Sequence, residues 1–222
     1  MNQASLVWVT PDAENLLAYI ARVSNPANQQ KQLESESPEQ MNSRLIGYLL
    51  KHKHFSPFEM VNACLEINTT RAISAQIIRH RSFCFQEFSQ RYATVGNLPE
   101  FHYPEIRYVG TSNRQASLTA KEARREDQVI SDNETVKQAI DSAQITYNHL
   151  IDNGVAPESA RMVLPMCSPT RIYMNGTLRS WIHYLQIRND ESHVQKEHVA
   201  IAKEIDLILS QLFPLTWTSL NV

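Results

Sequence analysis

Val61-Asn-Ala-Cys-Leu-Glu-Ile-Asn-Thr-Thr70-Arg71-Ala-Ile-Ser-Ala-Gln76-Ile-Ile-Arg79-His80-Arg81-Ser-Phe-Cys-Phe-Gln86-Glu87-Phe-Ser89-Gln90-Arg91-Tyr92 reads as a strand, a helix and a charged extended segment in one run. Val61, Ala63, Leu65 and Ile67 alternate with Asn62, Cys64, Glu66 and Asn68, the period-two pattern of a strand with one buried face. Thr70 is placed to cap a helix running from Arg71 to about His80. Beyond Gln76 the residues change character. Arg79, His80, Arg81, Glu87 and Arg91 are interleaved with Ile77, Ile78, Phe83, Phe85, Phe88 and Tyr92. A solvated surface run would not carry those apolar groups, and a core strand would not carry three guanidinium groups. Planar, permanently charged forks among aromatic rings suit an anionic ligand with a flat ring, of which a nucleotide is the obvious example.

Upstream, Leu6 to Val9 predicts a short strand. Thr10-Pro11-Asp12 predicts the start of a helix reaching about Val23, with Leu16, Leu17, Ile20 and Ala21 inward. Residues 25–38 are polar and predict a loop. A second helix is expected from Pro38 to Lys51, then a turn from His52 to Glu59. Downstream, residues 94–118 carry Gly96, Pro99, Pro104 and Gly110 and predict irregular structure; either loop could serve as a lid. A long helix is expected from about Thr119 to Asn153, closed by Gly154 at its C-terminal cap. A short helix from Pro157 to Arg161 precedes a β-like stretch, Thr170 to Met174. Helices Thr177–Arg188 and Val194–Leu212 follow. Helices and strands do not alternate regularly, so the expected fold is α+β: one domain over residues 1–222, a small sheet packed by several helices and no Rossmann unit.

Composition narrows the function. The chain has 222 residues, 42% of them hydrophobic, with a mean hydropathy of -0.37, as in ordinary globular proteins. No apolar run approaches the roughly 18 residues of a membrane span, and no secretory leader is evident at the N-terminus. A cytoplasmic protein is the expectation. Net charge is -2, which argues against a general nucleic-acid binder. Arginine outnumbers lysine fourteen to seven, a bias towards placed oxyanion contacts. Only five glycines occur and no glycine-rich phosphate loop, so arginines and helix N-termini must hold any phosphate. The three cysteines, Cys64, Cys84 and Cys167, are widely spaced, which fits neither a disulfide framework nor a zinc site. The histidines form no metal-ligand spacing, so no metal is expected.

Several constellations carry chemistry. Arg79, His80 and Arg81 are consecutive, must fan out and so serve different partners. Capping of a helix C-terminus by basic residues would account for them alone. It leaves Glu87, Ser89 and Arg91 unexplained, which share one face if the segment is extended. Arg161 precedes an apolar exit to Pro165 and reads by default as a salt-bridged or snorkelling side chain. Arg179 and His183 are neighbours on one helix face, and Arg188 projects from the opposite side, as two ligands flanking that helix would require. His52-Lys-His54-Phe-Ser56-Pro57-Phe58-Glu59 reads as a binding loop or as plain turn chemistry. Cys167 has no local base or helix N-terminus to activate it and reads as an inert thiol.

Arg79-His80-Arg81 followed after seven residues by Ser89 resembles the signature of the flavin-dependent thymidylate synthases. The likeness continues through Glu87, Arg91 and Tyr92, through His54-Phe-Ser56-Pro-Phe-Glu59, through Ala160-Arg161-Met-Val-Leu-Pro165, and through Arg179 to Arg188. It implies a homotetramer with sites built from several subunits, each binding FAD. It implies reductive methylation of dUMP to dTMP in de novo dTMP biosynthesis. The carbon would come from 5,10-methylenetetrahydrofolate and the reducing equivalents from NADPH, with no enzyme cysteine nucleophile. By position, Gln76, Arg79, Glu87, Ser89, Gln90, Arg91 and Arg161 match dUMP-binding residues. Ser56, Arg79, His80, Arg81, Glu87, Thr177, Leu178, Arg179 and His183 match flavin contacts. Arg188 matches the arginine that polarises the uracil ring and favours ionisation at N3. Two other readings remain open at this point: a cysteine-dependent uridylate methyltransferase using Cys167, and a non-enzymatic nucleotide- or RNA-binding module.

Overall fold

The computed structural model describes residues 3–35, 38–110 and 117–220; parts of both expected loops, residues 36–37 and 111–116, and the termini lie outside the described residues. The central element is β2 (Asn62–Thr70), whose alternation is realised as a strand with Ala63, Leu65 and Ile67 buried. It is flanked by β1 (Gln3–Val9) and β6 (Pro169–Thr177), and β3 (Cys84–Glu87) pairs with the far edge of β6. The order is β1-β2-β6-β3, and every pairing is antiparallel. One sheet face presents Leu65, Ile67, Ile172 and Met174 to the core, where each contributes about 1.5–3 kcal/mol by leaving water. The other carries Glu66, Asn68, Arg171 and Tyr173 in a polar network, with Tyr173 Oη donating to Glu66 at 2.9 Å and Arg171 Nε to Asn68 at 2.9 Å.

Helices cover the apolar face: α1 (Ala13–Ala21), α3 (Glu39–Lys51), α4 (Arg71–Ile77), α7 (Leu178–Arg188) and α8 (Lys196–Leu212). Trp181 and Tyr184 of α7 and Ile201, Ile205 and Leu209 of α8 are fully buried in one cluster with Phe58, Ile73 and Ile77. Trp181 Nε1 donates to the Ala63 carbonyl at 3.1 Å, tying α7 to the central strand. Thr70 caps α4 by accepting from Ile73 N, and Thr177 caps α7 by accepting from Ser180 N, so two strands pass directly into helices. The helix α5 (Glu126–Asp152) buries only Ile140 and Tyr147. Tyr147 forms a small separate cluster with Val95 and with Ala160 of α6 (Pro157–Ala160). Gly154 stands at φ 77°, the left-handed conformation its place after α5 requires.

Several expectations are corrected. The polar stretch 25–38 is not a loop throughout: α2 (Pro26–Glu34) lies within it, capped by Asn25. Its docking is polar and leaves no hydrophobic period to read. The buried guanidinium of Arg22 donates to Gln32 Oε1 at 2.6 Å and Asn42 Oδ1 at 3.0 Å, joining α1, α2 and α3. Helix α1 starts at Ala13, because Asp12 sits at φ 50° outside it. The long helix starts at Glu126, seven residues later than expected, because Arg124 takes a positive φ of 54° and breaks the turn. Residues 94–118 include a 3-10 turn, Val95–Asn97, and a small ladder of β4 (Tyr108–Val109) with β5 (Ser117–Leu118). Arg161 closes α6 as its C-terminal cap and at the same time opens a 3-10 turn, Arg161–Val163. A final helix, α9 (Pro214–Leu220), was not expected; Glu14 of α1 accepts from Leu215 N and Thr216 N, a cap from the other end of the chain.

Candidate functional site

The charged segment begins where α4 ends and turns back along the sheet edge. Arg79 and Arg81 are exposed and His80 is half-buried, so the three do fan out. The extended face expected for Glu87, Ser89 and Arg91 is not formed. The ladder stops at Glu87 opposite Ile172, and Tyr92 N and Ala93 N both bond to the Ser89 carbonyl, closing a turn. Glu87 is held by three donors on one oxygen: Ser74 Oγ at 2.5 Å, Arg71 at 2.7 Å and Thr170 Oγ1 at 3.0 Å. Arg91 pairs with Glu158 of α6 at 3.2 Å, which brings it to the helix leading into Arg161. Gln90 is buried in that turn, and its Nε2 has no hydrogen-bond partner among the described residues. Such an orphan costs about 1–3 kcal/mol unless a ligand or another chain satisfies it.

Helix α7 separates two clefts, as the opposed projections of Arg179 and Arg188 require. The first encloses about 360 Å³ and is lined by Phe55, Glu59, Ser82, Arg179, Ser180 and His183. Arg179 lies 5.8 Å over the Phe55 ring and forms an ion pair with Glu59. A cation over an aromatic face beside hydroxyls and an imidazole suits a flat, partly anionic group. Ser56 is exposed on the 3-10 turn that carries Glu59. Thr177 spends its hydroxyl on the α7 cap, and the Leu178 side chain is buried in the core, so ligand contacts there fall to backbone atoms.

The second cleft encloses about 720 Å³ and includes Gln76, Arg107, Arg188, His193, Gln195 and Lys196. Arg188 Nε donates to His80 Nε2 at 2.9 Å. That bond leaves the two terminal guanidinium nitrogens unbonded to any described residue and free for a ligand. His80 packs edge-on to Tyr184 with ring centroids 4.9 Å apart. Burial, with Arg188 and His183 adding to it, lowers the His80 pKa to about 4. Buried His198 is lowered to about 3 by burial, Arg188 and His80. No hydrogen bond or ion pair among the described residues joins Arg91 or Arg161 to this cleft.

Both histidines are thus neutral in the fold, below the ordinary value of 6.5. The unfolded chain then binds more protons as pH falls through 6.5, so acid removes stability. The loss reaches about 1.4 kcal/mol per pH unit from buried His198 and is smaller from half-buried His80, which water screens. Urea midpoints between pH 6.5 and 4 fall with acid, and fall less steeply in His198→Asn; equal slopes would refute this origin.

The thymidylate synthase complementing protein family matches residues 5–215. The chain belongs to this family, that of the flavin-dependent thymidylate synthases. It is 43% identical over 203 residues to the probable flavin-dependent thymidylate synthase of Paramecium bursaria Chlorella virus 1, covering 91% of this chain and 88% of that one. It is 40% identical over 216 residues to the flavin-dependent thymidylate synthase of Synechocystis, covering 94% and 89%. In fold it resembles the UMP/dUMP methylase PolB of Streptomyces cacaoi, crystallised with 5-Br dUMP, at a TM-score of 0.81 and 24% identity over 100% of this chain and 95% of that one. The chain is therefore a member of a methyltransferase enzyme family, with the small sheet and helices expected of it.

In this flavin-dependent thymidylate synthase chain Gln76, Arg179, His183 and Arg188 line the two clefts as expected from sequence, whereas Arg107, Gln195 and Lys196 line them without a sequence signal. Arg71, Ser74 and Thr170 around Glu87, and Glu158 opposite Arg91, carry no local motif. Tyr184 and His198 behind Gln76 and Arg188 left one faint signal, a histidine on the face of α8 that also carries Val199, Ala202 and Ile205.

Proposed function

We propose that the protein reductively methylates dUMP to dTMP in de novo dTMP biosynthesis. 5,10-Methylenetetrahydrofolate would donate the carbon, NADPH the reductant, and no enzyme cysteine would take part. Residues 1–222 act as one unit in this reading, in a cytoplasmic homotetramer. The observation that carries it is the Arg188–His80 bond at the wall of the second cleft. An arginine anchored through Nε presents its terminal N–H fork in a fixed direction, as recognition of a uracil O2/N3 edge requires.

The donor set of the first cleft fits part of FAD: Phe55 offers a ring face, and Arg179 and His183 offer a cation and an imidazole. A cleft of about 360 Å³ holds one portion of a dinucleotide. Ser56, Arg79, His80, Arg81, Glu87 and the Thr177–Arg179 backbone would hold the rest, some from another copy. When bound, the flavin supplies hydride transfer from NADPH to the substrates. The stoichiometry balances as dUMP, methylenetetrahydrofolate, NADPH and a proton giving dTMP, tetrahydrofolate and NADP+: C5 loses a proton and gains a methyl group.

Arg188 would stabilise negative charge on the ring, which makes C5 nucleophilic without covalent addition at C6. Gln76, Arg79, Glu87, Ser89, Gln90, Arg91 and Arg161 would bind and orient the nucleotide. The Nε2 of Gln90, without a partner among the described residues, and the absence of Arg91 and Arg161 from the lining of the Arg188 cleft support sites completed by a second subunit. Exposed Ile130 and Ile145 on α5, and exposed Met162 and Val163 on the Arg161–Val163 turn, support association of copies.

Cys167 does not favour the cysteine-dependent alternative: burial raises its thiol pKa, so thiolate is scarce. In Cys64→Ala, Cys84→Ser and Cys167→Ser, turnover stays within about twofold of wild type. Loss of turnover in folded, ligand-binding Cys167→Ser would revive the cysteine mechanism. The decisive test of the function is tritium release from 5-labelled dUMP with FAD, NADPH and the folate omitted in turn. Release must depend on the full set, and purified protein must be yellow. A colourless protein that neither binds FAD nor oxidises NADPH would defeat the reading.

A further inference from the structure

Behind the Arg188 cleft runs a buried chain of polar groups whose order of donors can be worked out. Tyr184 and His198 are both completely buried. Tyr184 Oη lies 2.9 Å from His198 Nε2, and His198 Nδ1 lies 3.3 Å from Gln76 Oε1. On its other side, Gln76 Nε2 donates to Gln195 Oε1 at 2.7 Å. Gln76 and Gln195 line the same cleft as Arg188.

We infer that His198 is a positioning residue that fixes the side-chain amide of Gln76 as a hydrogen-bond donor facing the cleft, towards an oxygen acceptor of the nucleotide. This rests on the uridylate reading of the cleft given above.

The direction follows from counting protons. Tyr184 carries one, since burial pushes its pKa up. Its hydrogen-bond partner among the described residues is His198 Nε2, so the phenol donates and Nε2 accepts. A neutral imidazole that accepts at Nε2 bears its proton on Nδ1. That proton goes to Gln76 Oε1, and the amide nitrogen is turned the other way. One of its two N–H groups meets Gln195; the second is left for the cleft. Reversing the amide would reverse the whole relay and strand the Tyr184 proton in a dry interior, an unmade bond of the costly kind. The same Tyr184 ring packs against His80, which anchors Arg188. One buried cluster therefore sets two groups on the cleft wall, and both present donors. Where these two groups stand, the wall suits carbonyl or phosphate oxygens and opposes an amino group, while Glu105 and Glu191 elsewhere in the lining offer acceptors.

The test uses the FAD-loaded full-length enzyme and measures dUMP affinity by titration calorimetry, with KM and kcat alongside. In His198→Asn the new amide nitrogen occupies the place of Nδ1 and still donates to Gln76. In His198→Gln the side chain reaches the place of Nε2 and leaves Gln76 without its donor. His198→Gln is expected to weaken dUMP binding about tenfold, mainly in KM, with flavin content retained, and His198→Asn to recover most of the loss. In a Gln76→Ala background, His198→Gln should add nothing. Should core substitutions fail to fold, Gln76→Glu probes the same direction from the half-exposed partner. It keeps the acceptor for His198 and removes the donor, so it must bind dUMP more weakly than wild type. Wild-type affinity in Gln76→Glu would overturn the inference. So would equal losses in the Asn and Gln variants, or a full His198→Gln effect without Gln76. Gln76→Ala binding dUMP normally would sink the uridylate assignment of Gln76, and the inference with it; weak binding in Gln76→Ala with normal binding in His198→Gln would sink the relay alone.

Discussion

Arg188→Ala lowers turnover about 10²–10³-fold, the loss expected for one preorganised donor aimed at developing negative charge. Flavin content stays at the wild-type level, because Arg188 faces the cleft opposite the one that Arg179 lines. Arg188→Lys does not restore the rate. In the native protein Nε is committed to His80 and the terminal nitrogens remain for the ligand. An ammonium is a point donor without that division of labour. Tritium release from dUMP under saturating FAD, NADPH and folate reads the loss. A fully active Arg188→Ala protein would remove Arg188 from ring activation.

Gly176→Ala is expected to be the most damaging small substitution in the sheet. A β-carbon on Gly176 would stand 2.3 Å from Phe83 Cδ1 and 2.5 Å from Cε1. Phe83 cannot step aside, since it is wedged edge-on against Trp181 at 4.7 Å and close to Tyr184 at 6.0 Å. Overpacking of this kind costs about 1–3 kcal/mol, or roughly 2–4 °C of Tm per kcal/mol in a chain of this size. The strain also reaches the site, because Phe83 follows Arg79, His80 and Arg81 by two to four residues. Flavin content falls along with stability. Phe83→Leu, which shortens the offending ring, recovers part of the loss in the double variant. Unchanged Tm in Gly176→Ala would show that the ring has room to move.

Much of the fold was legible because its signals are local. The alternation in Val61–Ile67, the cap Thr70, and Gly154 after the long helix each act within a few residues. What was illegible is held by groups distant in the chain. Helix α2 docks through the buried Arg22 and its amide acceptors, and α9 is capped by Glu14; neither leaves a period or a local motif. β3 ends at Glu87 although β6 runs on to Pro169, because the chain closes a turn on the Ser89 carbonyl instead, so an extended segment was expected to run too far.

The Arg79–Tyr92 stretch and the α7 arginines pointed to an anionic, flat-ringed ligand through residue type alone: permanent cations among rings, in a chain too poor in glycine for a phosphate loop. Order along the chain was enough to name a family. Which atoms of those residues remain free was decided only by packing. Folding placed His80 under Arg188 Nε, three donors on one oxygen of Glu87, and His198 behind Gln76. The reason is physical. A side chain's type is written locally, whereas the direction of its hydrogen bonds depends on what burial leaves it to bond with, and those partners lie up to 122 residues away.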